Sequence, residues 1–222
     1  MRTPALICVF AAVTIGLTGC GSGEKTDPAT SPSSAASSSA PASTTSSTGA
    51  KLTIAEYLRQ KNIRQTMVKR GDPGAPQLNL PMPPGWANVG RDTPPDAYGA
   101  IYLQAAAQSP NPPAIIARMA RLDGDVDVAK LLEYAPTAVT RAPGWDGPTT
   151  GRPSTLGGFD AVQIAGTATI DGAQTFVARK TVVITAPKNI YLLALDAQGP
   201  VDQQSALVEA MTLIDEQTTI QP

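Results

Sequence analysis

The side chains that most often carry catalysis are scarce in this 222-residue sequence. It contains no histidine, which excludes Ser-His-Asp and Cys-His catalysis, the common zinc sites and imidazole proton shuttles. The serines after residue 50 are Ser109, Ser154 and Ser205, and none lies in a Gly-x-Ser-x-Gly nucleophile elbow. There is no glycine-rich phosphate loop, and no spacing singles out a pair of carboxylates. We therefore expect no enzymatic activity and no cofactor.

Three alternating carboxylates, Asp123, Asp125 and Asp127, resemble the start of a calcium-binding loop. An EF-hand needs glycine at its sixth position and a bidentate glutamate at its twelfth, where this sequence has Val128 and Tyr134. The pattern favours a turn followed by a helix that Asp125 or Asp127 caps, with a weak divalent-cation site as the alternative. We expect no metal.

Thiol chemistry is indicated at one cysteine. Leu17-Thr18-Gly19-Cys20 follows a basic start at Arg2 and an apolar run from Ala5 to Ile15. This run is too short to cross a hydrocarbon core of about 30 Å, but it is typical of a signal peptide. The ending resembles the lipobox of bacterial lipoproteins, whose cysteine thiolate receives a diacylglycerol. Residues 1–19 are therefore predicted to be a cleaved signal peptide and Cys20 the lipidation site; a secretory signal with a chance cysteine is the alternative.

Processing would leave a chain without disulfides, because Cys8 departs with the signal and Cys20 is acylated. It would also leave 16 basic and 18 acidic residues, a net charge near −2, which does not suggest a nucleic-acid partner. We expect a monomer held by its lipid on the outer (periplasmic) face of the cell membrane.

Residues 20–50 have the composition of a tether. Ser, Thr, Ala and Pro make up nearly all of positions 26–50, with Asp27 as the one charge. Such a segment cannot bury enough apolar surface to offset its ordering entropy, so we predict a disordered linker with a reach of roughly 30 Å. An O-glycosylated stalk is the alternative.

Residues 51–222 are predicted to form a single α+β domain, an antiparallel sheet with helices packed on it. Thr53 and Glu56 form a Thr-x-x-Glu capping box, which predicts a helix to about Lys61 that Asn62 ends in a left-handed conformation. Asp171-Gly172 is typical of a type I′ hairpin. The other expected elements are strands at 78–80, from Trp86, at 98–105, 114–122, 159–170, 176–186 and 190–195, a helix over 128–135, a long loop over 143–153, and a final helix from Pro200 with a core stripe of Leu207, Val208, Met211 and Ile214.

Two tryptophans are the candidate ligand-binding residues. Trp86 and Trp145 stand beside Gly and Pro, which places them in loops rather than in strand interiors. Tryptophans that line a cleft suit sugars or acyl chains, whereas plugs at the sheet ends are the alternative. Residues 51–70 carry a net charge of about +5, which could face anionic lipid or simply form a solvated surface.

Short runs with distinctive spacing occur along the chain: Leu17-Thr-Gly-Cys20, Thr53-Ile-Ala-Glu-Tyr57, Gly71-Asp-Pro-Gly74, Leu80-Pro-Met-Pro83 with Trp86, Thr155-Leu-Gly-Gly-Phe159, Lys180-Thr-Val-Val-Ile184 and Ile214-Asp-Glu-Gln-Thr-Thr-Ile220. Together with the Ser/Thr tether, they resemble the mycobacterial LpqN/LpqT lipoproteins over the whole chain. The resemblance implies a fold similar to that of the PsbP photosystem proteins. It also implies an envelope protein associated with MmpL-type lipid exporters and with trehalose glycolipids, and it identifies no binding residue beyond the lipobox.

These observations favour a non-enzymatic protein that binds an amphiphilic (glyco)lipid or assists its export to the mycomembrane. The alternative is a protein-interaction scaffold for a membrane transporter without a lipid ligand of its own. An enclosed apolar cavity would favour the first hypothesis, and a filled core with an exposed apolar patch the second. A hydrolase that works without histidine is a third and weaker hypothesis.

The lipidation site can be tested directly. Cys20→Ala should release the protein from membranes or leave the signal peptide attached, because the thioether that carries the acyl chains cannot form. Membrane fractionation together with the intact mass of the mature protein measures both outcomes. Unchanged retention and mass after the substitution would contradict the prediction.

Overall fold

The structure, a computed structural model, describes residues 51–222. The predicted signal peptide, Cys20 and the tether lie outside this range. The elements are α1 (Ile54–Gln60), β1 (Arg64–Val68), β2 (Gln77–Asn79), β3 (Trp86–Asn88), β4 (Gly99–Leu103), β5 (Ala114–Asp123), α2 (Val128–Tyr134), α3 (Thr137–Thr140), β6 (Arg152–Leu156), β7 (Phe159–Ile170), β8 (Ala173–Thr185), β9 (Ile190–Pro200), α4 (Gln204–Gln217) and β10 (Thr219–Gln221).

One large antiparallel sheet organises these residues. Its strands follow the order β3-β4-β5-β9-β8-β7-β6. β1 pairs with the C-terminal half of β5, on the same side of that strand as β4. The short strands β2 and β10 form a separate antiparallel ribbon. The predicted α+β class, an antiparallel sheet covered by helices, is confirmed, while the likeness to PsbP stays an expectation.

Both faces of the sheet are covered because the long strands carry apolar side chains on both sides. Leu193 and Leu195 of β9 pack on one face with Leu207 and Ile214 of α4, in a cluster that also contains the β2–β10 ribbon. The preceding residue, Leu192, faces the other side, where α1 and α2 contribute their own apolar cluster. Alternate strand residues point to opposite faces, so one strand supplies both layers.

Local sequence signals set the ends of two elements as predicted. Thr53 accepts the Glu56 N–H at 3.2 Å and Glu56 accepts the Thr53 N–H at 2.7 Å, which completes the capping box of α1. Asn62 follows with a φ of 54°. Asp171 and Gly172 have φ angles of 50° and 78°, the positive values that a type I′ turn between β7 and β8 requires.

The acidic triplet is used for structure. Asp127 caps α2 by accepting the Lys130 N–H at 3.1 Å, as the turn-and-cap interpretation predicts. Asp123 instead forms an ion pair with Arg121 at 3.1 Å. Within residues 51–222 no group of metal-ligating side chains could hold an ion.

Three strands are missing from the sequence prediction. β1 has four exposed residues followed by one that is buried, so it lacks the alternation that marks a strand. β6 starts inside the segment predicted as a loop and contains Pro153, which is tolerated because β6 is an edge strand. β10 follows α4 directly and is only three residues long.

Two details of the final helix are also wrong in that prediction. Pro200 ends β9, and a 3₁₀ turn over Val201–Gln203 precedes α4. Val208 is 46% exposed, and Ala210 takes its place in the core. Leu207, Ala210 and Ile214 recur three and four residues apart on the buried face of α4, and Val208, one residue after Leu207, lies at the edge of that stripe.

A hydrogen-bonded carboxylate at the start of the domain makes the stability of the fold depend on pH. The pKa of Glu56 is lowered from 4.5 to about 2, chiefly by the backbone N–H of Thr53 and then by Arg141, whose guanidinium lies 2.9 Å away. The ionised carboxylate therefore stabilises the fold above about pH 4.5, and this contribution is lost as the pH falls through about 2.

Glu56→Gln should lower the thermal midpoint at neutral pH, and the difference from the wild type should shrink on acidification. Glu209→Gln, an exposed change on α4, is the control, and a midpoint difference that does not vary with pH would contradict the assignment.

Candidate functional site

A cleft of about 340 Å³ lies between α4 and strands β7 and β8. Its lining residues are Pro148, Arg152, Gln163, Ile164, Ala165, Phe176, Ala178, Arg179, Lys180, Leu207, Val208, Met211, Thr212 and Asp215. Most of these side chains are apolar, and the polar ones include the two ends of an ion pair. A concave, mostly apolar space with a few polar groups is the usual form of a ligand site.

The cleft exists because small side chains lie opposite each other in the sheet. Ala165 of β7 pairs with Ala178 of β8, and both line the cleft. Residues that are directly opposite in neighbouring strands share a face, so the two alanines form a shallow row. Helix α4 crosses this face through Leu207 and Met211, one helical turn apart, and cannot fill the space above the row.

A buried lysine forms the polar part of the cleft. Lys180 is 1% exposed, and its Nζ lies 2.6 Å from Asp215 Oδ2, 2.9 Å from Ser154 Oγ and 3.4 Å from the Thr155 carbonyl oxygen. Three acceptors match the three hydrogens of an ammonium group. The donors of this lysine are therefore all in use.

Asp215 retains unused acceptor capacity. Its Oδ2 accepts from Lys180, but its Oδ1 is buried and has no hydrogen-bond partner among the described residues. The side chain as a whole is 30% exposed and lies on the cleft wall. Leaving a charged acceptor unpaired away from water is costly, so a donor that reached this carboxylate would be stabilised.

The contact between Ser154 and Lys180 has the atoms of a Ser–Lys pair. In this structure the lysine Nζ donates both to Ser154 Oγ and to Asp215 Oδ2. Ser154 therefore serves as an acceptor for the lysine.

A second cavity of about 310 Å³ lies beside α2 and α3. Its lining includes Lys51, Ala129, Leu132 and Thr137. No charged side chain in this lining is buried, and within residues 51–222 no unpaired buried side-chain oxygen faces it. The cleft under α4 is therefore the better candidate.

Neither predicted tryptophan lines the cleft. Trp86 is not a loop residue: it begins β3 and is 6% exposed, because its indole is part of the main apolar cluster. Trp145 lies in a loop as expected and is half-buried, and its Nε1 donates to the Pro148 carbonyl oxygen at 3.1 Å. Since Pro148 lines the cleft, Trp145 lies one residue contact away from it. A role for either tryptophan in ligand binding stays a prediction.

The residues that sequence reasoning missed carried a detectable signal. Lys180, Val182 and Ile184 are spaced two residues apart along β8. Because side chains alternate between the two faces of a strand, this spacing places Lys180 on the same buried face as the other two. Asp215 stands four residues after Met211, which lies on the inner stripe of α4. A lysine and an aspartate that both fall on core-facing positions point to a buried pair.

Comparisons with known proteins identify the family of this chain. The model of the family described as "Probable lipoprotein LpqN" matches residues 50–221. The chain belongs to the LpqN lipoprotein family. Lipoprotein LpqN of Mycobacterium tuberculosis is 44% identical over 219 residues, in an alignment that covers 95% of each chain. Membership of a lipoprotein family supports association with a membrane, and no helix within residues 51–222 is long and apolar enough to span one.

The fold agrees with that of a solved LpqN family member. The crystal structure of LpqN involved in cell envelope biogenesis of M. tuberculosis superposes with a TM-score of 0.74 at 40% identity. The alignment covers 78% of this chain and all of that one. The family is therefore shown both by sequence and by structure.

The buried ion pair can be tested through stability. Asp215→Leu should lower the free energy of unfolding by about 3 kcal/mol, because it leaves the ammonium of Lys180 buried without a counter-charge. The double change Lys180→Met/Asp215→Leu should recover to within about 1 kcal/mol of the wild type, since it removes both charges and keeps their volume. Chemical denaturation at neutral pH measures both values. A double variant that is as unstable as the single one would show that the lysine is not the source of the loss.

Proposed function

We propose that this LpqN family member is a non-enzymatic envelope lipoprotein that binds an amphiphilic glycolipid in the cleft under α4. The acyl part lies along the alanine row beneath Leu207 and Met211, and the head group lies toward Asp215. The observation that carries the proposal is an apolar cleft that ends at a buried polar cluster, since this arrangement matches the two ends of an amphiphile. Its volume of about 340 Å³ is at the lower end of the range for ligand pockets.

The arrangement of the polar groups supports a function without catalysis. Lys180 Nζ donates to Asp215, Ser154 and Thr155, so Ser154 accepts from the lysine and does not donate to it. The chain has no histidine to replace it. Binding and release without a chemical step is the function that these groups support.

The predicted location agrees with a lipid ligand. Lipidation at Cys20 and a tether over residues 20–50 would hold the domain on the outer face of the cell membrane, within reach of newly exported lipid. The M. tuberculosis relative is involved in cell envelope biogenesis. A trehalose glycolipid as ligand and an MmpL-type exporter as partner fit this location.

A scaffold function is the second candidate. Val201 and Val208 are 42% and 46% exposed near the start of α4, and apolar side chains in contact with water can serve protein docking. Val208 also lines the cleft, so one surface could serve either function. A partner that binds while the cleft is blocked would favour the scaffold.

Filling the cleft should separate these functions. Ala178→Leu adds bulk on the floor under α4 and should weaken binding of trehalose monododecanoate by at least about tenfold, because the acyl chain loses its space. Ala129→Leu adds the same bulk at the second cavity and is the matched control. Calorimetric titration of the full mature chain carrying Cys20→Ala, which has no acyl groups, measures both affinities. Equal affinity in the two variants, or a loss of affinity only in Ala129→Leu, would show that the ligand does not bind in the cleft under α4.

A further inference from the structure

The second cavity, of about 310 Å³ beside α2 and α3, has an apolar floor and a polar rim. The residues of its floor are at least half-buried: Leu132, Pro136, Thr137, Gly151, Ala161 and Val162. Among them only Thr137 has a polar side chain. The charged residues of the lining, Lys51 and Glu133, are exposed, and Glu133 already pairs with Lys130 at 2.8 Å. Such a space suits an alkyl chain, because it shields apolar surface from water and holds no buried charge.

The two cavities lie on opposite faces of the same two strands. In β6, Arg152 lines the cleft under α4, whereas the next residue, Pro153, lines the second cavity. In β7, Gln163 and Val162 divide between the cavities in the same way. This division follows from the strand geometry, because neighbouring residues of a strand point to opposite faces. Since β6 is the last strand of the sheet, both cavities lie at the same edge of it.

The loop before β6 contributes to both cavities. Pro148 lines the cleft under α4, and residues 149–151 line the second cavity. Gly151 lets this loop lie close against α3, since a Cβ at this position would come within 2.8 Å of Pro136 Cγ. Residues 148–150 are exposed, so no other element covers this part of the edge. A ligand that sits at this edge therefore has one cavity on each side of the loop.

The polar end of the cleft lies at this edge as well. Lys180 donates to Ser154 of β6 and to Asp215 of α4, and Arg152 stands two residues before Ser154 on the same face of β6. The proposed function places the head group at this end. From there the alanine row extends along one face of the sheet, and the second cavity opens on the other.

We propose that the cavity beside α2 and α3 is a second alkyl subsite of the same ligand, so that the protein binds amphiphiles with two alkyl chains on one head group. One chain lies in the cleft under α4, and the other passes over residues 148–151 into the second cavity. The two volumes, about 340 and 310 Å³, suit chains of similar length. The inference rests on the proposed function, because it adds a subsite to the proposed ligand site. An amphiphile with a single chain uses the cleft under α4 alone.

The test compares two trehalose esters that share a head group and differ in the number of alkyl chains. One is the monododecanoate, and the other is the monoester of 2-octyldodecanoic acid, which carries a second chain on the carbon next to the carbonyl. Calorimetric titrations use the full mature chain carrying Cys20→Ala, at concentrations where neither ester forms micelles. The branched ester should bind at least about tenfold more tightly, because its second chain buries further methylene groups.

Variants that fill the second cavity should abolish this gain and leave the affinity for the monododecanoate unchanged. Ala129→Leu adds bulk at the rim, and Leu132→Phe, one helical turn away on α2, adds bulk at the floor. Each should weaken binding of the branched ester by about tenfold or more. Unchanged binding of the monododecanoate shows that each variant is folded. Ala138→Leu, at an exposed position of α3 that lines neither cavity, is the control and should change neither affinity.

The outcomes distinguish the second subsite from the proposed function. Ala178→Leu should weaken the binding of both esters, because each places a chain in the cleft under α4. If it does so while both filling variants keep the full affinity for the branched ester, the second subsite is wrong and the cleft remains the lipid site. A branched ester that binds no more tightly than the monododecanoate also overturns the subsite. If Ala178→Leu weakens neither ester, the proposed function fails, and the second subsite fails with it.

Discussion

An antiparallel sheet with apolar residues on both faces must be covered on both faces, and the rest of this fold follows from that constraint. β9 shows it most clearly, because its buried residues alternate with half-buried ones along the whole strand. The buried set meets α4 and the β2–β10 ribbon. In the half-buried set, Ile190 and Leu192 meet α1 and α2, whereas Asp196 pairs with Arg118 and Arg179. Each cover is a short segment that could not be stable alone, so its position is set by the apolar surface that it must exclude from water.

The cover on the α4 side is incomplete where the sheet presents small residues. Ala165 and Ala178 are neighbours across β7 and β8, and a helix that packs against larger side chains elsewhere passes above them. A larger residue at Ala178 would extend the apolar core on this face, as Phe176 does two residues earlier on β8. The cleft is therefore a property of the side-chain sizes and not of the topology.

Sequence reasoning succeeded where short-range chemistry decides the structure. The capping box at Thr53 and the Asp171-Gly172 turn each depend on residues that are at most three positions apart, so their signals are complete in the sequence. It failed for β1 and β10, which owe their strand conformation to partners elsewhere in the chain, β5 and β2. Predicting the cleft also requires contacts between residues that are distant in the sequence, because Lys180 lies 35 positions from Asp215 and 26 positions from Ser154. A lysine on an apolar face could be noticed from the pattern, but its counter-ion could not be identified without the pairing of α4 with the sheet.

The placement of the ion pair bears on its role. A buried pair is a weak source of stability, because removing two charges from water costs about as much as their attraction returns. In this domain the pair also leaves one carboxylate oxygen unsatisfied, which adds to the cost. An apolar pair of similar volume would close the core at this point without either penalty. The pair therefore costs more in the folded protein than an apolar pair would, and both of its residues lie at the polar end of the cleft under α4.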